Sequence, residues 1–395
     1  MQGTMHERAL MKLNIGAGDT HIDGYEALDI KHGIEAHALP HGDGVADEVR
    51  ASHVLEHYPF ERLPEVLKEW FRVLKPGGVV KVAVPDCDFI LREYAAGKPI
   101  NMQGYLMGGQ QDAYDFHSSL LNFNTLSGLL REAGFVNTVR WQSEIDDCAA
   151  LPISLNLQAT KPGLPSFRVV AVASVPRFGP TLHSRCCHEA LLPLRIPLKQ
   201  IAGAYWGQCL SRAMDECLTD DEQKPDLLLA LDYDTVFKPW HVISLLDIMQ
   251  RRPEVDALVP IQCHRGLQQM LCSVRDETGE PAHEVTPATL MQEIMPIMSG
   301  HFGLTVLRVS ALERMSKPWF IGTPDAQGGW GDGRIDDDIH FWNQWRKSGN
   351  TAFLANRVPV GHLMELIAWP GKTMDPSFQQ IQEFYERGTP ADLWV

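Results

Sequence analysis

Leu13-Asn14-Ile15-Gly16-Ala17-Gly18 decides how the first half of this chain is read. The short run Lys12 to Ile15 has strand character and ends on two glycines, so a strand delivers the chain into a tight turn. Without side chains there, a ligand can reach the main-chain N–H groups. Glycines after a strand also make plain turns, so the neighbours decide the matter. Glu26 to Ile30, Glu48 to His53, Val79 to Val84 and Leu155 to Thr160 read as further short strands. Between them, Leu63, Val66, Leu67, Trp70, Phe71 and Leu74 recur at helical spacing, giving an amphipathic helix that Pro76-Gly77-Gly78 would end. A second helix carries Leu126, Leu129 and Leu130 and stops at Gly134. Strands alternating with helices predict a wound α/β sheet. Asp29 falls at the end of the second strand, where a carboxylate can accept hydrogen bonds from both hydroxyls of a ribose.

Taken in order, Leu13 to Gly18, Gly24 to Ile30, Ala51-Ser52-His53-Val54-Leu55-Glu56-His57, Val73 to Gly78, Val84-Pro85-Asp86, Asp115-Phe116-His117 and Ala133-Gly134-Phe135 resemble the class I S-adenosylmethionine-dependent methyltransferases. The resemblance covers essentially the whole first half. It implies a Rossmann-like sheet, S-adenosylmethionine as cofactor, Gly16 and Gly18 on its methionine side, Asp29 on its ribose, and Ser52 and His53 flanking the pocket. Where many members carry a third glycine this chain has Asp19-Thr20, a departure found in methyltransferases of glycan pathways. Among the residues that could take a proton from a methyl acceptor are His53, His57 and His117, since a neutral imidazole accepts near pH 7. Each can equally be structural, and methyl transfer from a sulfonium can proceed by alignment alone.

Lys161-Pro162-Gly163-Leu164-Pro165 reads as a linker, and an apolar strand begins afresh at Arg168 to Val175. The expected domains are therefore 1–162 and 163–395. A helix is expected from Ile201 to Leu218, followed by Leu227 to Leu231, an unbroken apolar run suited to a strand of a parallel sheet buried on both faces. That run ends in Asp232-Tyr233-Asp234. Strand alternation would put Asp232 and Asp234 on one face, where the two carboxylates favour Mg²⁺ or Mn²⁺ between them. An Asp-X-Asp is also an ordinary solvated turn. Asp336-Asp337-Asp338 opens a further helix; capping and the helix dipole account for one or two of these acids, leaving one to face a site as a base. His362 follows a short strand and is an acceptable third ligand for Mn²⁺.

The ordered set of Asp-X-Asp, Ser299 to Thr305, the acidic helix start and Gly361-His362-Leu363 resembles the GT-A-type nucleotide-sugar glycosyltransferases over about 167–369. By that resemblance Asp232 and Asp234 bind the metal and the donor diphosphate, His362 completes the metal shell, and Asp337 or Asp338 is the base of an inverting displacement. Arg212 could pair with a donor phosphate or form a surface salt bridge. Trp330, within Gly328-Gly329-Trp330-Gly331, could stack on a sugar ring.

At 395 residues the chain exceeds what one core usually supports, and the net charge of −15 leaves no electrostatic footprint for nucleic acid. Met1 to Leu10 has no signal-peptide apolar stretch, no membrane-spanning run is present, and the eight cysteines lack paired CxxC spacing. A cytoplasmic protein in a reducing compartment is expected. The reading that joins these observations is a bifunctional enzyme, transferring sugar from a nucleotide-sugar donor and methyl from S-adenosylmethionine to a glycan or small-molecule acceptor. Two other readings stay open at this level: a glycosyltransferase with a silent S-adenosylmethionine-fold scaffold, and a nucleobase- or DNA-modifying glycosyltransferase.

Overall fold

The computed structural model describes residues 10–163, 166–176, 179–219, 223–265, 269–275, 281–282, 292–331, 333–370, 375–390 and 393. The stretch 1–9 and the linker residues Leu164 and Pro165 lie outside the described residues. The chain divides into two compact units, Met1–Pro165 and Ser166–Val395.

The first unit runs β1 (Lys12–Ile15), β2 (Tyr25–Leu28), β3 (Ala46–Ser52), α1 (Leu63–Val73), β4 (Leu74–Pro85), α2 (Cys87–Ala95), α3 (Met102–Met107), α4 (Phe123–Glu132), β5 (Val136–Arg140) and β6 (Ser154–Thr160). Its six strands are ordered β2-β1-β3-β4-β6-β5. The first four are parallel, and β6 runs antiparallel to both neighbours. The helical spacing read from the sequence is realised: Leu63, Val66, Leu67, Trp70 and Val73 of α1 are fully buried. The Trp70 indole N–H donates to Ala36 O at 2.9 Å, so the largest side chain of that face is also satisfied.

Two expectations are corrected here. Pro76-Gly77-Gly78 does not end α1; the helix stops at Val73 because Leu74 is already extended. The Lys-Pro-Gly-Gly stretch instead bulges out of β4, where register jumps from Ala46↔Leu74 to Glu48↔Val79. The second strand ends at Leu28, because the Asp29 side chain caps a 3₁₀ turn, Ile30–His32, and takes the chain out of the sheet.

Arg50 on β3 is a charge inside this unit, 3% exposed as a side chain and paired at 2.5 Å with Asp147, itself 6% exposed. Breaking such a pair strands the other charge, so Asp147→Ala is expected to destabilise the protein by about 3 kcal/mol. Urea denaturation of the full chain measures this.

The second unit continues with β7 (Val169–Val175), α5 (Thr181–Leu191), β8 (Leu198–Ala202), α6 (Trp206–Leu218), β9 (Leu227–Asp232), β10 (Thr235–Val236), α7 (Pro239–Arg251), β11 (Ala257–Ile261), β12 (Cys272–Arg275), β13 (Pro281–Ala282), β14 (Ile294–Pro296), β15 (Ser299–Gly300), β16 (Thr305–Arg308), α8 (Val309–Leu312), α9 (Asp337–Lys347), β17 (Ala352–Pro359), β18 (Gly361–His362), β19 (Leu366–Pro370), β20 (Pro376–Gln380) and α10 (Ile381–Arg387). A seven-stranded sheet is ordered β14-β17-β11-β16-β9-β7-β8.

Strand β9 is buried on both faces. Leu227, Leu229 and Leu231 pack into a core that includes residues of α5 and α7, while Leu228 and Ala230 face a core with α6 and α9 residues. The sheet is mixed, however, because β9 is parallel to β7 and antiparallel to β16. Ile201 lies in β8, paired with Ser174, and the helix begins only at Trp206. The sequence pattern had joined an edge strand to the helix after it.

Candidate functional site

In the first unit the chain passes from β1 outward to β2, then back across β1 to β3. The strand order therefore reverses between the carboxyl ends of β1 and β3, the place where open α/β sheets take ligands. Gly16 and Gly18 follow β1 with φ of 65° and 52°, a conformation that favours glycine. A Cβ on Gly16 would also collide with the Val54 side chain. The turn's amides are not free donors, contrary to the sequence reading. Gly16 N and Ala17 N both donate to Leu28 O, and Gly18 N donates to Asp29 Oδ2 at 2.7 Å. What the glycines offer is room. Asp29 is 7% exposed, and its other oxygen accepts from Lys31 N at 2.9 Å, so the carboxylate is held rigidly beside the turn with lone pairs remaining.

At the end of β3 the Ser52 hydroxyl is buried without a hydrogen-bond partner. His53 has a positive φ of 57°. Its ring sits 3.0 Å from Ser154 Oγ through Nε2 and 3.0 Å from Glu56 Oε1 through Nδ1. His57 and His117 meet edge to face with ring centroids 5.0 Å apart. Burial holds His117 below the usual imidazole range. Glu56, which the sequence reading passed over, joins these histidines; the His53…Glu56-His57 spacing was the available signal.

In the second unit Asp232, Asp234, Asp338 and His362 interact at the end of β9. Asp232 Oδ1 accepts from the Trp206 indole at 2.6 Å. Burial pushes the Asp232 carboxyl up to about 7, with the charges of Asp234 and Asp338 adding to it and the Trp206 donor opposing. Asp234 lies beyond the strand's end, so strand alternation is not what brings it near Asp232. The short ribbon of β10 and β18 pairs Thr235 with His362 and sets His362 Nε2 3.4 Å from Asp234 Oδ2. Arg265 is 3.2 Å from the same oxygen. Burial raises the Asp234 carboxyl, but His362 and Arg265 outweigh it and hold the group below the ordinary range.

Of the three acids at α9, Asp336 pairs with Arg334 at 2.7 Å and provides no side-chain cap. Asp337 lies against Gly207 of α6. Asp338 accepts from Ile339 N at 2.8 Å. Burial pushes its carboxyl up to about 6, the backbone donor opposing and Asp337 and Asp336 adding to the rise.

Residues 22–82 match a family described as a methyltransferase domain. The matched segment lies within the first unit. The matched segment spans Asp29 and the His53–His57 turn and begins after the glycine turn. No curated protein matches the chain. Among solved structures the chain is similar to a SAM-dependent methyltransferase, possible histamine N-methyltransferase, from Thermotoga maritima (19% identity, 38% of this chain, 82% of that chain, TM-score 0.28). It is also similar to a STIV protein (15% identity, 54% of this chain, 94% of that chain, TM-score 0.36). A third is a SAM-dependent methyltransferase from Methanosarcina mazei (18% identity, 40% of this chain, 94% of that chain, TM-score 0.28).

The first unit thus brings Gly16, Gly18, Asp29, Ser52 and His53 to one edge of its sheet. In the second unit Asp232, Asp234, His362 and Asp338 interact, whereas Arg212 and Trp330 are exposed side chains. Arg212 is 68% exposed as a side chain and reaches only its helical neighbour Glu216, at 3.8 Å. This contact is the surface salt bridge that the sequence reading held beside a phosphate partner. Arg212→Ala is accordingly expected to change the protein's stability by less than about 1 kcal/mol, as for an exposed ion pair; urea denaturation reads this directly. Trp330 is 63% exposed, with its ring edge over Gly322 in a loop closed by the Thr323–Ile335 bridge.

Among the described residues, the one group offering at least three ligand atoms within 4.8 Å of one another is Glu56, His57 and His117, not Asp232, Asp234 and His362. The latter donor set still suits a hard divalent cation. His362 Nδ1 faces Cys263 O at 3.0 Å, a contact that fixes the ring and turns Nε2 toward the Asp234 carboxylate. All eight cysteines are free thiols, and no described helix is long and apolar enough to cross a membrane.

Proposed function

We propose that the chain is a two-site transferase. One site transfers methyl from S-adenosylmethionine in the first unit; the other transfers sugar from a nucleotide-sugar donor, with a divalent cation, in the second. The acceptor is a glycan or a glycosylated small molecule. The observation carrying the sugar-transfer reading is the convergence of Asp232, Asp234, His362 and Asp338, which lie on separate elements, interact with one another and have raised or lowered carboxyl pKa values. Perturbed carboxylates gathered in this way are candidates for a functional site.

In the methyl site Asp29 binds the cofactor ribose, the Gly16–Gly18 turn leaves space for its methionine end, and the Ser52 hydroxyl supplies an unpaired polar group beside it. Transfer from the sulfonium then depends chiefly on holding the acceptor in line. In the sugar site Asp232, Asp234 and His362 would hold Mn²⁺ or Mg²⁺, which neutralises the leaving diphosphate when bound. Asp338 takes the proton of the acceptor hydroxyl, its carboxyl lying close enough to neutrality for that exchange. Half-buried Trp206 packs edge to face on buried Phe302 and holds the orientation of Asp232 through its indole N–H.

A thermal-shift panel tests the reading. S-adenosylmethionine should raise the melting temperature without metal, and one nucleoside-diphosphate sugar should do so only with Mn²⁺. A chain stabilised by neither class of ligand at millimolar concentration would sink both assignments.

A further inference from the structure

The turn after β3 holds a group of donors that methyl transfer does not require. His53-Val54-Leu55-Glu56-His57 leaves the strand with Val54 and Leu55 buried in the core, which forces Glu56 inward. Glu56 is 1% exposed, and neither carboxylate oxygen accepts a directed hydrogen bond, although His53 Nδ1 lies within ion-pair range of one. The backbone of Glu56 ties down a distant segment: Ser118 N and Ser119 N both donate to Glu56 O, at 2.6 and 3.1 Å. His117 is thereby placed beside His57.

Both histidines are oriented in the same way. His57 Nδ1 faces Phe116 O at 3.1 Å, and His117 Nδ1 faces Tyr105 O at 3.1 Å. A carbonyl only accepts, so each Nδ1 carries the proton, and in the neutral rings each Nε2 presents a lone pair. Backbone carbonyls orient metal-binding histidines in this manner. One ligand atom from each of Glu56, His57 and His117 lies within 4.8 Å of the others. Two lone pairs and a buried carboxylate facing one another are stable only with positive charge among them.

We propose that Glu56, His57 and His117 form a binding site for a divalent first-row transition metal of the zinc class. Two imidazoles and one carboxylate leave at least one coordination position open. The open position takes an oxygen ligand. If the methyl-transfer reading holds, that ligand is the acceptor hydroxyl, because Val54 of the same turn packs against Gly16 of the cofactor turn. Metal coordination would then acidify the hydroxyl before transfer.

The test is a Zn²⁺ titration by calorimetry, with Co²⁺ visible absorption beside it. It uses the chelator-stripped full chain carrying Asp234→Asn and His362→Ala, so that the second unit's donors are removed. One equivalent of Zn²⁺ is expected. His57→Gln and His117→Gln should each weaken it by more than the ~10- to 100-fold that outer-shell changes cost. The nearly isosteric Glu56→Gln should do the same without disturbing the melting temperature of the metal-free chain, which separates ligation from a folding role. No Zn²⁺ binding in the parent, or isotherms unchanged in both histidine variants, would overturn the site. S-adenosylmethionine is titrated separately into the stripped chain. Zn²⁺ binding without cofactor binding would overturn methyl transfer and leave the metal site standing; cofactor binding without Zn²⁺ would do the reverse.

Discussion

If the second unit transfers sugar as proposed, Asp338→Asn is expected to lower that rate by about 10³-fold at neutral pH, within the range by which general bases contribute, while nucleotide-sugar affinity stays within about threefold. The substitution keeps the side chain's shape and its Oδ1 acceptor for Ile339 N, so the start of α9 should survive. It removes only the capacity to take a proton. Asp337→Asn is the comparison: Asp337 lies against Gly207 and donates no equivalent interaction with Asp232, so its loss should cost less than about tenfold. The pH profile gives a second readout. A base must be deprotonated to act, and the Asp338 carboxyl is pushed up to about 6, so turnover should fall as pH drops through that region. Asp232 titrates close by, and the acid limb therefore belongs to the coupled pair rather than to one residue. Single-turnover kinetics with the two variants decide between Asp337 and Asp338; equal losses would sink the assignment of the base to Asp338.

The sequence made the alternation of elements in the first unit legible because burial imposes period. Trp70 and its neighbours on α1 had to recur at helical spacing, and the apolar run of β9 had to be continuous to be covered on both faces. Less was visible where backbone geometry overrides pattern. The bulge at Lys75–Gly78 reads as a helix stop, since proline and glycine punctuate both structures. Strand β5, with Asn137, Thr138 and Arg140, is too polar to signal itself and exists because β6 pairs with it.

The sites show the same division. Asp232 and Asp234 could be found because the acid pair after an apolar run stands in order with the Asp336 run and His362, but their relation was misjudged: a turn and the β10–β18 ribbon, not strand alternation, place Asp234 beside His362. The convergence of Glu56 with His117 was invisible, because it depends on Ser118 and Ser119 pairing with one backbone carbonyl far away in sequence.

Asp29→Ala is expected to weaken S-adenosylmethionine binding by about 10²- to 10⁴-fold, the equivalent of losing two hydrogen bonds to a charged acceptor at roughly 1.5–3 kcal/mol each. The loss has two sources. The carboxylate no longer accepts from the ribose hydroxyls, and the Gly18 and Lys31 amides lose their acceptor, so the turn that shapes the pocket loosens. Asp29→Asn separates them, because an amide oxygen can keep one of these backbone contacts while the charge is gone. Its affinity should fall between that of the parent and that of Asp29→Ala. Gly16→Ala isolates the remaining element, the room that the turn provides. With φ at 65° and Val54 in the way, an added methyl must displace either the turn or the β3 end, while leaving the Asp29 carboxylate itself intact. Calorimetric titration of the three variants therefore ranks anchor, charge and space. An Asp29→Ala chain that binds the cofactor as tightly as the parent would remove the ribose role of Asp29, and with it the physical reason for placing a nucleoside cofactor at the β1–β3 switch point.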